Sequence, residues 1–484
     1  MPRRILKFAA IVIVTLLVSG AVLYALGLRV VLYGGGSPHL EFVESERARA
    51  ERVARDREAR RAEPAAAPAE PAPVTSAAAQ PPPPTQPAVA PDAVPAPAYW
   101  TDFRGPSRDG HYREQRISTA WPSEGLQPLW KQPVGGGYAS FAIARGRAFT
   151  IEQRGPQEVV AAYDVATGRE LWTSEWAAVF HESMGGDGPR ATPTWSDGRV
   201  YVLGGQGEFR ALEEATGKTL WRTNILDENG ASNLQWGMAA APLIVGNTVV
   251  VTPGGPTGRS VVAYDRLTGA RRWHALDDQQ GYSSPMLTTL GGVRQLVVFS
   301  ASRLVGLTPD EGRVLWEYPW KTDYGVNAAQ PIVIGSNRVF LSSGYGTGAA
   351  VIELTPSASG FSVREVWRNI RMKNQFTSSI LHEGFIYGLD ESILACLDAA
   401  TGDLKWKGGR YGHGQVLLAS GHLIVLTEDG DLALVRASPD RHQELVRFHA
   451  IEGKTWNHPA MSGAILLVRN VNEMAAFDLR TTSR

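Results

Sequence analysis

One phrase, Ala-Tyr-Asp-Val-Ala-Thr-Gly-Arg-Glu-Leu-Trp at residues 162–172, keeps returning along the chain. Ala211 to Trp221 repeats it with Glu213 in place of the Asp, and Ala263 to Trp273 repeats it with Asp265, Thr268 and Gly269 in register. Gly306 to Trp316 and Ala395 to Trp406 carry further copies, the second one residue longer, and degenerate copies lie at Leu354 to Trp367 and Leu434 to Phe448. A unit returning every 40 to 50 residues or so is one small sheet that buries its faces only against its neighbours. That period marks a β-propeller, built blade by blade.

Each part of the phrase has a structural purpose. The small residue lets backbones approach, the Asp caps a turn, the Gly takes a positive φ, and the Trp lies between blades as apolar glue. The residues read as structural docking groups are Trp130, Asp164, Gly168, Trp172, Gly217, Trp221, Asp265, Gly269, Trp273, Trp316, Trp367, Asp398, Gly402 and Trp406. Alternating apolar runs such as Arg199 to Leu203 and His422 to Leu426 supply the strands between copies. Leu129-Trp130 is a half-motif with no turn before it, and Met474 to Leu479 is a half-motif with no Trp after it. Joined, they make one blade from both ends of the chain and remove the exposed sheet edge that an open array would leave. Counting Trp130, Trp172, Trp221, Trp273, Trp316, Trp367, Trp406 and a substituted position at Phe448 gives eight blades. The fold class is all-β, an eight-bladed β-propeller closed by N- and C-terminal strands, preceded by one transmembrane helix and a disordered linker.

The domain organisation follows from composition. Residues 1–7 carry Arg3, Arg4 and Lys7 and read as a cytoplasmic N-terminus; residues 8–28 are uncharged and apolar or small, which reads as a transmembrane helix. A cleaved signal peptide is the rival reading, with small residues at Val18-Ser19-Gly20-Ala21, and no Cys follows to take a lipid. Residues 29–63 include a dense Arg, Glu and Ala mixture without an apolar stripe, which reads as a solvated helix. Residues 64–98 are rich in Pro and Ala and read as a disordered stalk, and the propeller fills 99–484. This places the chain in the inner membrane as a single-pass protein with its C-terminal domain in the periplasm. The net charge of +0 argues against a nucleic-acid surface. Cys396 is the only cysteine, so an internal disulfide, attached haem or multi-Cys zinc site is excluded.

The phrase Ala-x-Asp-x-x-Thr-Gly-x-x-x-Trp resembles the tryptophan-docking motif of PQQ-like, or quinoprotein-type, β-propeller repeats, over about residues 100 to 480. The resemblance implies two kinds of function. Quinoprotein alcohol dehydrogenases hold pyrroloquinoline quinone (PQQ) and Ca²⁺ on the propeller axis beneath a disulfide of adjacent cysteines. The barrel-assembly lipoproteins use the same blades as a protein-binding scaffold without a cofactor. One Cys, and no assignable Glu-Asn-Asp set for calcium, turn the expectation toward a membrane-anchored scaffold with protein partners in the cell envelope. A PQQ-dependent dehydrogenase acting on an alcohol or sugar in the periplasm is the alternative.

Chemistry in a propeller concentrates where the loops entering the innermost strands converge. Those loops offer Arg190, Trp236, Tyr282, Asn327, Lys373, Asn374, His413 and Trp456 as an axial funnel for a planar, multiply anionic ligand. The plainer reading is a water-filled channel, or groups that tie the inner ends of strands together. His181, His413 and His458 lie on different blades without metal-ligand spacing, so no metal site is expected, and no catalytic residue can be named.

Overall fold

The computed structural model describes residues 2–34, 38–62, 100–358 and 360–481, residues 2–7 and 9–11 by backbone only. Eight antiparallel sheets follow one another around an axis, and the first strands of most successive sheets touch. Blades 1 to 7 occupy residues 142–177, 194–224, 243–275, 286–319, 332–369, 380–410 and 415–449. Blade 8 combines residues 460–478 with strand β4 (Pro128–Pro133), as the split motif predicts. Its closing register places Trp130 opposite Ala476.

The docking phrase now has a geometry. In each intact copy the small residue stands directly across the hairpin from the Trp, and a bulge follows it: Ala162 faces Trp172, Ala211 faces Trp221, and Ala263 faces Trp273. The indole then leaves its sheet and covers the turn of the next blade. Trp130 Nε1 donates to the carbonyl of Val165 at 2.9 Å, Trp172 to Glu214 at 2.8 Å, Trp221 to Arg266 at 3.0 Å, Trp367 to Ala399 at 3.0 Å and Trp406 to Ser438 at 2.8 Å. The turn itself is capped by its Asp, as where Asp164 accepts from the Thr167 N–H at 2.9 Å. Gly168, at φ 73°, does two things at once, because a Cβ there would also lie 2.6 Å from the Trp130 ring.

Two details of register differ from the sequence reading. Cys396, not Ala395, faces Trp406, so this copy has the same length as the others and the thiol occupies the small-residue position. In blade 7 the bulge follows Leu434, which faces Val446, so Val446 holds the Trp position while Phe448 packs edge-on against Trp121 and Phe477.

A circle of polar contacts runs round the axis where the innermost strands begin. Ser140 N donates to Thr192 Oγ1, Thr194 Oγ1 to the Pro242 carbonyl, Ala241 N to Ser284 Oγ, and Gln330 to both the Ser284 carbonyl and Ser378 Oγ. Gln415 Nε2 bridges the Phe376 and Trp456 carbonyls, and Asn457 Nδ2 donates to the Ala139 carbonyl, which returns the circle to blade 1. The lead-in from Trp100 crosses the axis. Its buried Arg108 donates to carbonyls of Ala241, Pro242 and Pro285, Arg104 donates to Ser379, and strand β3 (His111–Tyr112) adds a parallel inner strand to blade 7.

The N-terminal part departs most from expectation. Helix α1 spans Pro2–Ala25 and ends before Gly27, at φ 98°, rather than reaching Leu28. Among the described residues no helix is long and apolar enough to cross a membrane. Strands β1 (Leu28–Leu32) and β2 (Pro38–Phe42) form a hairpin, followed by helix α2 (Glu46–Ala62). Helix α2 is not solvated. Arg49, Val53 and Arg57, each four residues on from the last, are buried against the propeller. Arg57 donates to the Pro133 carbonyl at 2.8 Å and sits 3.5 Å from Glu170, which also binds Arg154 and Arg61. The apolar stripe was absent because two of the three docking positions are arginines that meet carbonyls and carboxylates. The linker at 64–98 lies outside the described residues; since the elements before it already touch the propeller, its length does not set the distance between α1 and the blades.

Replacing Gly168 by Ala tests the double role of the docking glycine. Gly246 is the control, with φ 55° and open space beside it. Gly246→Ala is expected to cost about 1 kcal/mol from backbone strain alone, and Gly168→Ala roughly 2–4 kcal/mol because the Trp130 indole must also move. Thermal unfolding of the two variants distinguishes them; equal losses would mean that the indole contact contributes nothing.

Candidate functional site

Two sets of segments meet on one face of the ring: the loops that enter each innermost strand, and the turns joining the second and third strands of each blade. Tyr138, Arg190, Trp236, Tyr282, Phe376, His413, Lys454 and Trp456 come from the first set and Glu428 from the second. Their rings form a chain of contacts. Tyr138 lies 5.3 Å from Trp456, Trp456 is 4.5 Å from Phe376, and Phe376 is 5.3 Å from His413. On the other side the Arg190 guanidinium sits over Phe180 at 4.6 Å and Tyr138 at 5.5 Å, and Trp236 packs 5.9 Å from Tyr282.

The charges here are held by the protein itself. Glu428 accepts from Trp456 Nε1 at 2.8 Å, His413 N at 3.0 Å and Gly34 N at 2.6 Å. Burial pushes its carboxyl up, but His413, Gly34 and Trp456 together overcome this and hold it at about 2. Lys454 lies 4.2 Å above the Trp456 ring, and its ammonium donates to the carbonyl of Gly185 at 3.2 Å and that of Leu32 at 3.4 Å. Burial pulls it down to about 8, against the pull of Glu41, Glu428 and Glu182. Arg190 donates to the carbonyls of Gly186, at 2.6 Å, and Gly188, and Glu182 accepts from the N–H groups of Met184, at 2.9 Å, and Gly185.

Of the eight residues read as a funnel, Arg190, Trp236, Tyr282, His413 and Trp456 stand in or beside this cluster. The other three have local duties. Asn327 donates to Ser300 at 2.8 Å and accepts from Ser343 at 2.6 Å; Asn374 donates to Leu389 at 3.0 Å and accepts from Ser379 at 2.7 Å. Lys373 pairs with Asp390 at 3.0 Å. Tyr138, Phe376, Glu428 and Lys454 escaped the sequence reading. Glu428 had a signal, a Thr-Glu-Asp-Gly turn at 427–430, but that turn joins the second and third strands of its blade and is not a loop entering an inner strand.

A quinone with calcium does not fit these side chains. Glu182 and Glu428 already accept two or more hydrogen bonds each, and Asp187 beside them accepts from the Glu182 N–H and pairs with His181. Among the described residues no group of three or more His, Cys, Asp or Glu is arranged to hold a metal ion. Cys396 is buried in blade 6 facing Trp406, where burial pushes its thiol up to about 12.

Ring, bulge and docked indole define a PQQ-like repeat propeller. A sequence profile described as Outer membrane protein assembly factor BamB matches residues 156–408, more than half of the chain, and the chain belongs to that family. The outer membrane protein assembly factor BamB of Bordetella pertussis is 22% identical over 311 residues, covering 62% of this chain and 73% of that protein. The BamB of Burkholderia pseudomallei is 24% identical over 295 residues, 58% of this chain and 69% of that protein. A quinohemoprotein alcohol dehydrogenase of Comamonas testosteroni is 32% identical over 122 residues, but these are 24% of this chain and 16% of the enzyme. In structure, BamB of Moraxella catarrhalis superposes with a TM-score of 0.52 at 14% identity, over 74% of this chain and 99% of that one. A europium-containing methanol dehydrogenase gives 0.59 at 14% identity, over 78% and 91%. These two likenesses show the shared fold.

Behind the rim, fully buried Glu158 accepts from Gly205 N at 2.9 Å, while its other oxygen has no partner. Burial raises its carboxyl to about 7. A carboxyl raised in the folded state binds its proton more tightly there than in the unfolded chain. Its stabilisation is therefore present below the ordinary carboxylate range and is lost as pH rises toward 7. Glu158→Gln should remove this slope, on the order of 3 kcal/mol between pH 4.5 and 7. The check is the difference in melting temperature between variant and parent across that range; parallel curves would show that Glu158 titrates normally.

Proposed function

We propose that this protein is an extracytoplasmic binding scaffold that works with the machinery assembling outer membrane proteins. The observation that carries this reading is the engagement of the funnel: Arg190, Lys454, Glu182 and Glu428 all bind the chain's own backbone. Around the same face the rim exposes apolar side chains, with Tyr324 67% and Ile370 73% exposed on the loops flanking blade 5 and Val179 and Met184 exposed on the loop between blades 1 and 2. Aromatic and aliphatic groups on rigid loops around a polar centre are the anchors a protein partner buries. The family membership points the same way, since its named relatives are assembly factors.

Attachment to a membrane through α1 is part of the proposal. Leu16 and Leu17 are about two-thirds exposed among the described residues. Docking of the hairpin and α2 would then keep the propeller near the bilayer instead of on a long tether.

In-cell crosslinking of the full chain should recover an outer-membrane protein assembly component from the membrane fraction. Tyr324→Asp with Ile370→Asp should reduce that recovery about tenfold, the loss expected when anchor residues are removed from an interface. Recovery of no such component, or recovery indifferent to the rim substitutions, would overturn the proposal.

A further inference from the structure

The funnel mouth already holds a ligand, and that ligand is a piece of this chain. Two residues past β1, Gly34 donates its backbone N–H to Glu428 Oε1 at 2.6 Å, and the carbonyl of Leu32, the last residue of the strand, accepts from Lys454 Nζ at 3.4 Å. A carbonyl and the N–H two residues further on point to the same edge of an extended chain. Glu428 and Lys454 therefore grip the backbone on either side of Tyr33, where β1 gives way to a 3-10 turn at Gly34, with one acceptor and one donor. The acceptor is fixed in advance by the Trp456 indole and the His413 N–H. The recognition also selects for glycine: a Cβ on Gly34 would collide with the His413 imidazole. That ring is 2% exposed, with its Nδ1 3.6 Å from Glu428 Oε2.

From this arrangement we propose that the funnel mouth is a binding site for an extended polypeptide edge carrying glycine at the contact point. The chain's own Leu32–Gly34 segment occupies it in cis and competes with a partner segment of the same chemistry. The site uses strand addition, in which main-chain hydrogen bonds supply affinity and a pocket for one residue supplies selectivity. A tethered occupant acts at a high effective concentration, so a free segment binds well only when the tether is displaced. This goes beyond the scaffold reading and does not depend on which protein the rim engages.

Gly34→Val in the full chain should drive the segment out, because the added side chain cannot pass His413. Chymotrypsin cleavage after Tyr33 reports the release. The probe is a fluorescent peptide with the sequence of residues 28–42, followed by anisotropy. It should bind Gly34→Val at least about tenfold more tightly than the parent, which must first give up its own segment. Adding Glu428→Gln to Gly34→Val should weaken the peptide by about tenfold, the effect of losing a charged acceptor for a backbone N–H. A peptide with Val in place of its central contact glycine should not bind. Three results would each overturn the proposal: Tyr33 as protected in Gly34→Val as in the parent, equal peptide affinity of parent and Gly34→Val despite release, or binding indifferent to Glu428→Gln.

Discussion

Everything in this molecule depends on an indole resting on a glycine of the next sheet. Trp130 over Gly168 and Trp221 over Gly269 join one blade to the next with a large apolar face and a hydrogen bond from Nε1 to a turn carbonyl. The same contact fixes the turn, because only glycine combines the required φ with the room for the ring. Repeated around the ring and shut by β4 against Glu473–Asp478, it ties the separate sheets into one closed wall. Where it fails, other contacts replace it. Blade 5 has no Thr-Gly turn to receive Trp316, which instead hydrogen-bonds Gln295 of its own blade.

Rigid walls make the centre available for polar groups. The circle from Ser140 through Ser284, Gln330 and Gln415 to Asn457 ties the innermost strands together with side chains that a ligand site would otherwise use. Arg104 and Arg108 close one end of the axis, where burial lowers both guanidinium groups. At the other end Glu428 and Lys454 hold Gly34 and Leu32. The charged groups Arg190, Lys454, Glu182 and Glu428 are engaged by the chain's own backbone, and recognition moves outward to the rim and to whatever displaces the hairpin.

The ring was legible in the sequence because its period is carried by Trp, Gly and Asp, residues whose spacing is set by local turn geometry. Phe448 and Ala395 misled because bulges, not residue type, decide which side chain faces which; Val446 and Cys396 hold those places. The funnel was half legible. Trp236, Tyr282, His413 and Trp456 come together as large polar-aromatic groups on converging loops, whereas Asn327 and Asn374 look identical in sequence but bond neighbouring strands. The docking of α2 was not legible. Its buried face is Arg49, Val53 and Arg57, and an arginine that will meet a carbonyl cannot be told from one that will meet water.

The sharpest question is whether the axial groups are engaged as described. The direct measurement is titration of the full chain with PQQ and Ca²⁺, following quinone absorbance and dye reduction with an added alcohol. With Glu182, Glu428, Arg190 and Lys454 held by the backbone, no saturable binding and no dye reduction are expected. Stoichiometric binding with turnover would contradict it, and would mean that the hairpin and funnel loops rearrange to expose a cofactor site.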